Sequence, residues 1–448
     1  MFFGPASFPA LWFIAKGLWG EYNRRPPLWL NYEPEPLPEV SYYDSVCSVY
    51  HDDIFYGGCE DIKIYGDLAL VSCDPYKKQS NLLTGYTPGT PNGNVYVWNY
   101  VEDSDPMKID FGEIQELRPQ GIHGIYTDET KQVLRIFVAN AAKNASIEVF
   151  DHDVKTGITT KVISLRNKDA ILAPSSVAPL SPTEIFMCNT LGYPYTTLFG
   201  RAEFLTGFPL GTIGFMNFTD MTNVTGRSVG STTTPIGIEF ANEHLYVASW
   251  QYGIYAYQLY LPPNDLDPEL VEANKSLGRM HFYPGEIVYR TPYLPTQISY
   301  SSELDGLVSA ASTSYSGEIG AWFGKKRSSW AGLLVDRKDE TGKPFVVSDT
   351  VTAGLKSIDR RWQTLFWEPT GFKFNALNSM TVENGRRFGV STHQSGVLIC
   401  KYNGLETVDV PEVELGAQAA TSTTGSSTQS TKSAMQVDRL EHLYHDEF

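Results

Sequence analysis

Six apolar segments, each as long as a β-strand, recur along this chain and constrain its fold more than any other feature. They start 50 to 81 residues apart, and several are followed closely by a second, alternating strand. A unit of that size holds about four strands with their loops, which is typical of a β-propeller blade. We therefore predict an all-β, six-bladed β-propeller, with an irregular β-sandwich as the alternative. The segments are residues 67–73, 133–140, 183–189, 243–250, 305–312 and 386–393.

The composition limits the kinds of partner this chain can have. Its 448 residues carry a formal net charge of −16, and 42% of them are hydrophobic. Nucleic-acid binding needs clusters of Lys and Arg, which the sequence lacks. The 38 glycines, 27 prolines and 26 tyrosines favour many short strands and turns. We expect small molecules or proteins as partners, and no nucleic acid.

Residues 57–73 form the most informative of the repeats. Ile62 and Ile64 alternate with Asp61 and Lys63, a turn follows, and a continuous apolar run completes a hairpin. The pair Glu60 and Asp61 stands at the open end of this hairpin. Paired carboxylates there ligate calcium, serve acid-base chemistry or solvate a loop, and the sequence leaves all three readings open.

Five cysteines suggest how the ring closes. Cys47 precedes the first repeat and Cys400 lies in the last strand, so a disulfide between them ties the two ends of the ring together. Cys59 and Cys73 flank one hairpin and are candidates for a second bridge. Cys188 is then left as a buried thiol.

The two ends of the chain differ in composition from its body. Residues 1–20 are apolar and aromatic and resemble a signal peptide or signal anchor, and residues 21–41 form a Pro-rich linker. We assign residues 42–405 to the propeller and residues 413–448 to a disordered Ser/Thr-rich tail. The final four residues are similar to the HDEL retention signal, with Phe in the last position: His445, Asp446, Glu447 and Phe448.

Four sites match the pattern for N-glycosylation, and they lie at Asn144, Asn217, Asn223 and Asn274. Together with the chain ends they place the protein in the secretory pathway, either in the lumen of the endoplasmic reticulum or secreted. The apolar N-terminal segment also predicts membrane association through that end.

Several motifs resemble the serum paraoxonase and arylesterase family within the gluconolactonase-like group of six-bladed propellers. The resemblance covers roughly residues 42 to 402. It implies a propeller with calcium in its central tunnel, closed by a disulfide at Cys47 and Cys400. The motifs are Cys59-Glu60-Asp61-Ile62, His123-Gly124-Ile125, Phe137-Val138-Ala139-Asn140 and Gly396-Val397-Leu398-Ile399-Cys400.

The calcium ligands that the resemblance implies are largely absent from this chain. Glu60 matches one ligand of the catalytic calcium, but the other four positions hold Ser175, Ile236, Thr296 and Gln297. The structural calcium has Asp61, but Ser176 stands where a second Asp is expected. Calcium takes six to eight oxygens, several of them from carboxylates. The family's His pair retains His123, whereas its second member falls at Ala141. We therefore expect no metal and no cofactor; if calcium is bound after all, Glu60 and Asp61 are its ligands.

The predicted site lies at the mouth of the tunnel. We assign catalytic roles to Glu60 as an acid or hydrogen-bond donor, to His123 as a proton-transfer group, and to Gln297 as an amide that polarises a carbonyl or orients a substrate. The predicted substrate pocket is completed by Asp61, Ser175, Ile236, Trp250 and Thr296. The sequence contains no Gly-x-Ser-x-Gly motif, so a serine nucleophile is disfavoured.

Three functions fit these residues. The first is an enzyme that catalyses a metal-free cyclisation of an apolar, oxygenated small molecule, which is similar in kind to fungal hetero-Diels-Alderases of tropolone sesquiterpenoid pathways. The second is a calcium-dependent arylesterase or lactonase, as the family resemblance implies. The third is a lumenal binding protein without catalysis, in which Glu60 and His123 are dispensable.

Overall fold

The computed structural model describes most of the body of the chain. The described residues are 47–77, 89–102, 104–112, 114–193, 199, 203, 210–219, 224–232, 234–250, 253–260, 281–282, 287–289, 291, 293–312, 328–335, 362–368 and 374–401. The predicted signal segment, linker and tail lie outside these ranges, as do Asn223 and Asn274.

The described residues form 25 β-strands in six antiparallel sheets, which we number as blades 1 to 6. The first strand, β1 (Cys47–Tyr50), belongs to the last blade. Blade 1 holds β2 (Cys59–Tyr65), β3 (Leu68–Cys73), β4 (Asn94–Asn99) and β5 (Met107–Lys108). Blade 2 holds β6 (Pro119–Tyr126), β7 (Val133–Asn140), β8 (Ser146–Asp153) and β9 (Thr159–Leu165). Blade 3 holds β10 (Pro174–Ser181), β11 (Glu184–Asn189), β12 (Gly211–Asn217) and β13 (Thr225–Thr232).

Blades 4 to 6 follow the same plan. Blade 4 holds β14 (Pro235–Ala241), β15 (His244–Ser249), β16 (Gly253–Tyr260), β17 (His281–Phe282) and β18 (Ile287–Tyr289). Blade 5 holds β19 (Leu294–Ser301), β20 (Gly306–Ser312), β21 (Ser329–Val335) and β22 (Trp362–Glu368). Blade 6 holds β23 (Leu377–Glu383), β24 (Arg386–Ser391) and β25 (Val397–Lys401), and β1 completes it.

The blades close into a ring around a central channel. The first strand of each blade, here called its inner strand, contacts the inner strand of the next blade, and β23 contacts β2. In blade 6, β1 pairs with β25 so that Cys47 stands opposite Cys400, and a disulfide joins them. This confirms the predicted six-bladed propeller, its closure by a terminal strand and its closing disulfide.

The six segments that the sequence analysis took as the first strands of the repeats are in fact the second strands: β3, β7, β11, β15, β20 and β24. They were the easiest to recognise because a second strand has a neighbour on each side and is buried on both faces, as in β3. Each inner strand turns one face toward the polar channel, which weakens its apolar pattern.

Apolar side chains pack between neighbouring blades and form the core. Leu70 and Val97 of blade 1, for example, belong to one cluster with Ile122 and Ile136 of blade 2, and all four are buried. Burying one such side chain contributes about 1.5 to 3 kcal/mol. The interfaces between blades therefore hold the inner strands, and the channel between them, in fixed positions.

The remaining cysteines confirm the sequence analysis. Cys59 and Cys73 face each other on β2 and β3 and form a second disulfide, whereas Cys188 is a buried free thiol on β11. Two disulfides indicate an oxidising compartment outside the cytosol. Retention in the endoplasmic reticulum stays a prediction. Within the part of the chain that the structure describes, no helix is long and apolar enough to cross a membrane.

Two predicted glycosylation sites are described, and they differ in accessibility. Asn144 is exposed in the turn between β7 and β8. Asn217 is half-buried, and its Nδ2, the atom that carries a glycan, donates to Glu184 Oε1 over 3.0 Å. A glycan is therefore accommodated more easily at Asn144.

Candidate functional site

All six inner strands begin with a β-bulge, an irregularity in their pairing with the second strand. A bulge leaves residues out of the ladder and redirects their side chains and carbonyls. Five of the predicted site residues are bulge residues, so the structure brings them to one end of the channel. We call the whole set the bulge ring: Glu60, Gln120, Gly121, Ser175, Ile236, Thr296, Gln297 and Asn378.

The side chain of Gln297 links three blades within the bulge ring. Its Nε2 donates to the backbone oxygens of Ser175 at 3.3 Å and Ile236 at 3.2 Å. Backbone oxygens only accept, so this network assigns the NH₂ group to that side of the amide. Oε1 is buried and has no hydrogen-bond partner among the described residues. Gln297 therefore offers an acceptor, and the amide donor that was predicted to polarise a carbonyl is already engaged.

Other side chains join neighbouring bulges in the same way. Thr296 Oγ1 donates to the backbone oxygen of Asn378 at 2.6 Å, and Asn378 Nδ2 donates to the backbone oxygen of Glu60. Ser175 Oγ donates to the backbone oxygen of Pro235 at 3.2 Å. The bulge carbonyls are thus satisfied by hydroxyl and amide donors of adjacent blades.

Glu60 is the acidic residue of the bulge ring. Its side chain is 3% exposed, and its Oε2 lies 2.6 Å from Lys77 Nζ. Its Oε1 is buried, and within the part of the chain that the structure describes it has no hydrogen-bond partner. Burial raises the pKa of this carboxyl, and the Lys77 ammonium opposes the rise without overcoming it. Burial outweighs the short ion pair because the other carboxyl oxygen, Oε1, has no polar group to solvate it among the described residues.

Asp61, predicted to line the pocket, instead connects three blades below the bulge ring. Its Oδ1 accepts from Ile62 N at 2.9 Å and from Ser379 Oγ at 2.6 Å, and its Oδ2 accepts from Ile122 N at 3.0 Å. The residue is fully buried. Burial raises the pKa of Asp61, while Lys63 and Ser379 oppose the rise. These bonds occupy the carboxylate, which favours a structural role for it.

A buried ionic network crosses the channel deeper along the inner strands. Lys63, two residues beyond Asp61 on β2, places its Nζ 2.6 Å from Glu239 Oε2 on β14 and 2.6 Å from the backbone oxygen of Ile298. Glu239 Oε1 lies 2.8 Å from His123 Nε2 on β6. Burial alone would raise the pKa of Glu239, but Lys63 and His123 together lower it to about 2. Glu239 is therefore ionised across the physiological pH range.

Both ring nitrogens of His123 have partners in this network. Nδ1 lies 2.8 Å from the hydroxyl of Tyr65, which accepts from Gly124 N at 2.6 Å, and 3.0 Å from the backbone oxygen of Gly124. Nε2 faces the Glu239 carboxylate, to which it donates. Burial and the charge of Glu239 raise the pKa of Tyr65 well above its ordinary value. Proton exchange between His123 and a substrate requires the displacement of Tyr65 or Glu239.

Two further pocket residues lie near the same end of the channel. Ile236 is a half-buried bulge residue, and Trp250 directly follows β15, whose last residue Ser249 pairs with Pro235 at the start of β14. Trp250 is 7% exposed. They place apolar surface beside the polar bulge ring.

The bulge ring does not fit the calcium that the family resemblance implies. Its single carboxylate, Glu60, is already paired with an ammonium group, and the hydroxyls of Ser175 and Thr296 donate to backbone oxygens. Among the described residues, no group of three or more His, Cys, Asp or Glu is placed to hold a metal ion. Calcium requires more oxygens and more negative charge than this set supplies.

Sequence reasoning missed seven residues of the site: Lys63, Tyr65, Lys77, Gln120, Gly121, Glu239 and Asn378. A signal for two of them was present, because Asp61, Lys63 and Tyr65 alternate along β2 and so share the channel face of that strand. No such pattern in the sequence indicated Glu239 as a site residue, because only the closed ring brings it next to Lys63.

Comparisons with known proteins leave the family of this chain open. No protein-family model and no curated protein matches it. One similar solved structure is a protein provisionally named as a gluconolactonase, 10% identical, with a TM-score of 0.41 over 85% of this chain and 96% of that chain. A hypothetical selenium-binding protein from Sulfolobus tokodaii is 10% identical, with a TM-score of 0.37 over 70% of this chain and 66% of that one. The computationally designed Ika8 protein is 9% identical, with a TM-score of 0.30 over 77% of this chain and 70% of that one. Similarities this distant carry no argument about activity.

Proposed function

We propose that this protein is a small-molecule enzyme that works at the bulge ring without a metal, and that its reaction is the cyclisation of an apolar, oxygenated substrate. One observation carries the proposal: Glu60 is a buried carboxyl with one oxygen held by Lys77, the other without a partner, and a raised pKa. A carboxyl in this state is suited to donate a proton or a strong hydrogen bond.

The roles of the side chains follow from their contacts. Lys77 holds Oε2 of Glu60, so the proton of the acid form lies on Oε1, from which it is donated when a substrate oxygen enters the bulge ring and reaches that buried atom. Ile236 and Trp250 supply apolar surface that orients the carbon skeleton and excludes water. Lys63, His123 and Glu239 fill the channel below and keep its floor rigid.

Covalent catalysis receives little support from the hydroxyl groups of the site. Ser175 Oγ and Thr296 Oγ1 both donate to backbone oxygens, and neither has a basic side chain as partner. Ser379 does bond to the Asp61 carboxylate, but both residues are fully buried. Activation of a nucleophile needs an adjacent base that a substrate can reach. A reaction that needs only orientation and one proton donor suits this site better.

A calcium-dependent arylesterase or lactonase is the second candidate, and one observation favours it. The Oε1 atoms of Glu60 and Gln297 are both buried without partners, and carboxylate and amide oxygens are ligands that calcium accepts. Against it stand the Lys77 ammonium at Glu60 and the lack of further carboxylates.

Metabolite profiling of a producing strain that lacks the gene separates these candidates. Cyclisation within one molecule conserves the molecular formula, so we expect the strain to accumulate an open-chain isomer of the product it loses. Wild-type protein restores the product, whereas Glu60→Gln and Glu60→Ala do not. Accumulation of a compound that differs from the lost product by one water points to the hydrolase instead. Full restoration by Glu60→Ala contradicts any catalytic role of this residue and supports a binding protein.

A further inference from the structure

The hydrogen-bond donors of the bulge ring are directed at the protein itself. Gln297 Nε2 has two backbone acceptors, and Asn378 Nδ2, Thr296 Oγ1 and Ser175 Oγ each have at least one. Among the described residues, the two side-chain atoms of the bulge ring that are buried without a hydrogen-bond partner are both oxygens, Gln297 Oε1 and Glu60 Oε1. These two atoms are therefore acceptors for a ligand, except where Glu60 is protonated.

We propose that the bulge ring selects small apolar molecules that carry a free hydroxyl group, which donates its hydrogen to Gln297 Oε1. This rests on the proposed function and names the substrate class of the same site. A hydroxyl suits both oxygens, because it donates to Gln297 and also accepts from the protonated form of Glu60. An ammonium group is disfavoured by the positive charge of Lys77, whose Nζ lies 2.6 Å from Glu60 Oε2. A ligand with an ether or an ester alone leaves Gln297 Oε1 unpaired.

The cost of leaving that oxygen unpaired sets the expected selectivity. Gln297 is 3% exposed and its Oε1 has no hydrogen-bond partner among the described residues, so a bound apolar ligand without a hydroxyl leaves that oxygen unpaired. Sites built to bond a substrate hydroxyl strongly reject the analogue that lacks it, and for a small fragment we expect about tenfold weaker binding.

Benzyl alcohol and benzyl methyl ether form a probe pair that tests this requirement on the intact protein. Their dissociation constants are measured by ligand-observed NMR on wild-type protein, Gln297→Met and the control Gln394→Met. Gln394 serves as the control because it lies outside the bulge ring and its Oε1 accepts from Asn375 N at 2.9 Å. We expect the alcohol to bind about tenfold tighter than the ether to wild-type protein and to Gln394→Met, whereas Gln297→Met should bind the two probes equally.

The wild-type comparison stands even if Gln297→Met fails to fold. Equal binding of the two probes to wild-type protein overturns the proposal, since a trapped water or the protein then satisfies Oε1. An alcohol preference that persists in folded Gln297→Met also overturns it, as does the absence of binding by either probe. The metabolite test of Glu60 does not depend on these binding measurements. Failure of the hydroxyl requirement can therefore be distinguished from failure of the proposed function.

Discussion

Lys63 Nζ lies 2.6 Å from Glu239 Oε2, so an ion pair joins blade 1 to blade 4 across the channel. The two side chains are 5% and 7% exposed. A buried pair of this kind adds little stability compared with apolar residues, but the loss of one partner leaves an uncompensated charge. The propeller therefore depends on the pair being complete.

Replacing Lys63 alone is expected to destabilise the protein strongly. We predict that Lys63→Met lowers the free energy of unfolding by about 3 to 5 kcal/mol, measured by urea denaturation, because Glu239 loses its counter-ion. The double variant Lys63→Met/Glu239→Gln should lose less than the sum of the two single losses. Lys161→Met is the control: its ammonium is 35% exposed, and the buried carboxylate of Glu148 keeps hydrogen bonds from Ser146 Oγ and Ser164 Oγ, so the loss should be smaller than for Lys63→Met. Strictly additive losses at Lys63 and Glu239 would mean that the pair does not interact.

The lowered pKa of Glu239 predicts a loss of stability in acid. Its folded pKa of about 2 lies below the ordinary 4.5, so the stabilisation is complete above pH 4.5 and is lost as the pH falls toward 2. The linkage amounts to roughly 3 kcal/mol. The free energy of unfolding, followed by urea denaturation from near-neutral pH to about pH 2, should fall more steeply for wild-type protein than for Glu239→Gln. Parallel curves would show that Glu239 does not titrate as the geometry indicates.

The raised pKa of Glu60 predicts a loss of stability as the pH rises, which is the opposite of the effect of Glu239. Its folded pKa lies above 4.5, so its contribution to stability is complete below pH 4.5 and declines as the pH rises through the raised pKa. Glu60→Gln cannot ionise and should lack this decline. Urea denaturation of wild-type protein and Glu60→Gln at a series of pH values above 4.5 measures this decline as the difference between their free energies of unfolding. A difference that does not change with pH, or one of the opposite sign, contradicts the raised pKa.

The disulfide that closes the ring should matter more than the one within blade 1. Cys47 and Cys400 are 353 residues apart in sequence, whereas Cys59 and Cys73 are 14 apart. The chain-entropy model gives a loss of about 6 kcal/mol for Cys47→Ala/Cys400→Ala and about 3 kcal/mol for Cys59→Ala/Cys73→Ala. Thermal unfolding of both double variants tests the order. A smaller loss for the ring-closing pair would show that packing of β1 against β25 suffices to close blade 6.

Much of the fold was predictable because the local sequence patterns and the need to close a ring both indicate the same six-bladed propeller. The hairpin of residues 57–73, the number of blades and the pairing of Cys47 with Cys400 all follow from short-range alternation, spacing and the need to join the two ends. The inner strands were harder to identify. β2 carries Asp61 and Lys63 on its channel face, and β14 carries Glu239, so their patterns are less apolar than those of β3 and β15.

The candidate site was predictable in position but not in chemistry. Glu60, Ser175, Ile236, Thr296 and Gln297 do meet at one end of the channel. The direction of the Gln297 amide, however, depends on the carbonyls of blades 3 and 4, and the partner of Lys63 lies 176 residues away. Neither relationship has a local signal, because each arises only when the ring closes.

We propose that protein donors and Lys77, not a metal, hold the bulge ring together. Elemental analysis of the purified protein, combined with thermal unfolding in millimolar calcium and in excess EDTA, tests it most directly. We predict far less than one calcium per chain and the same unfolding midpoint in both solutions. One calcium per chain, removed by EDTA with a fall in the midpoint and absent from Glu60→Gln, would contradict the account.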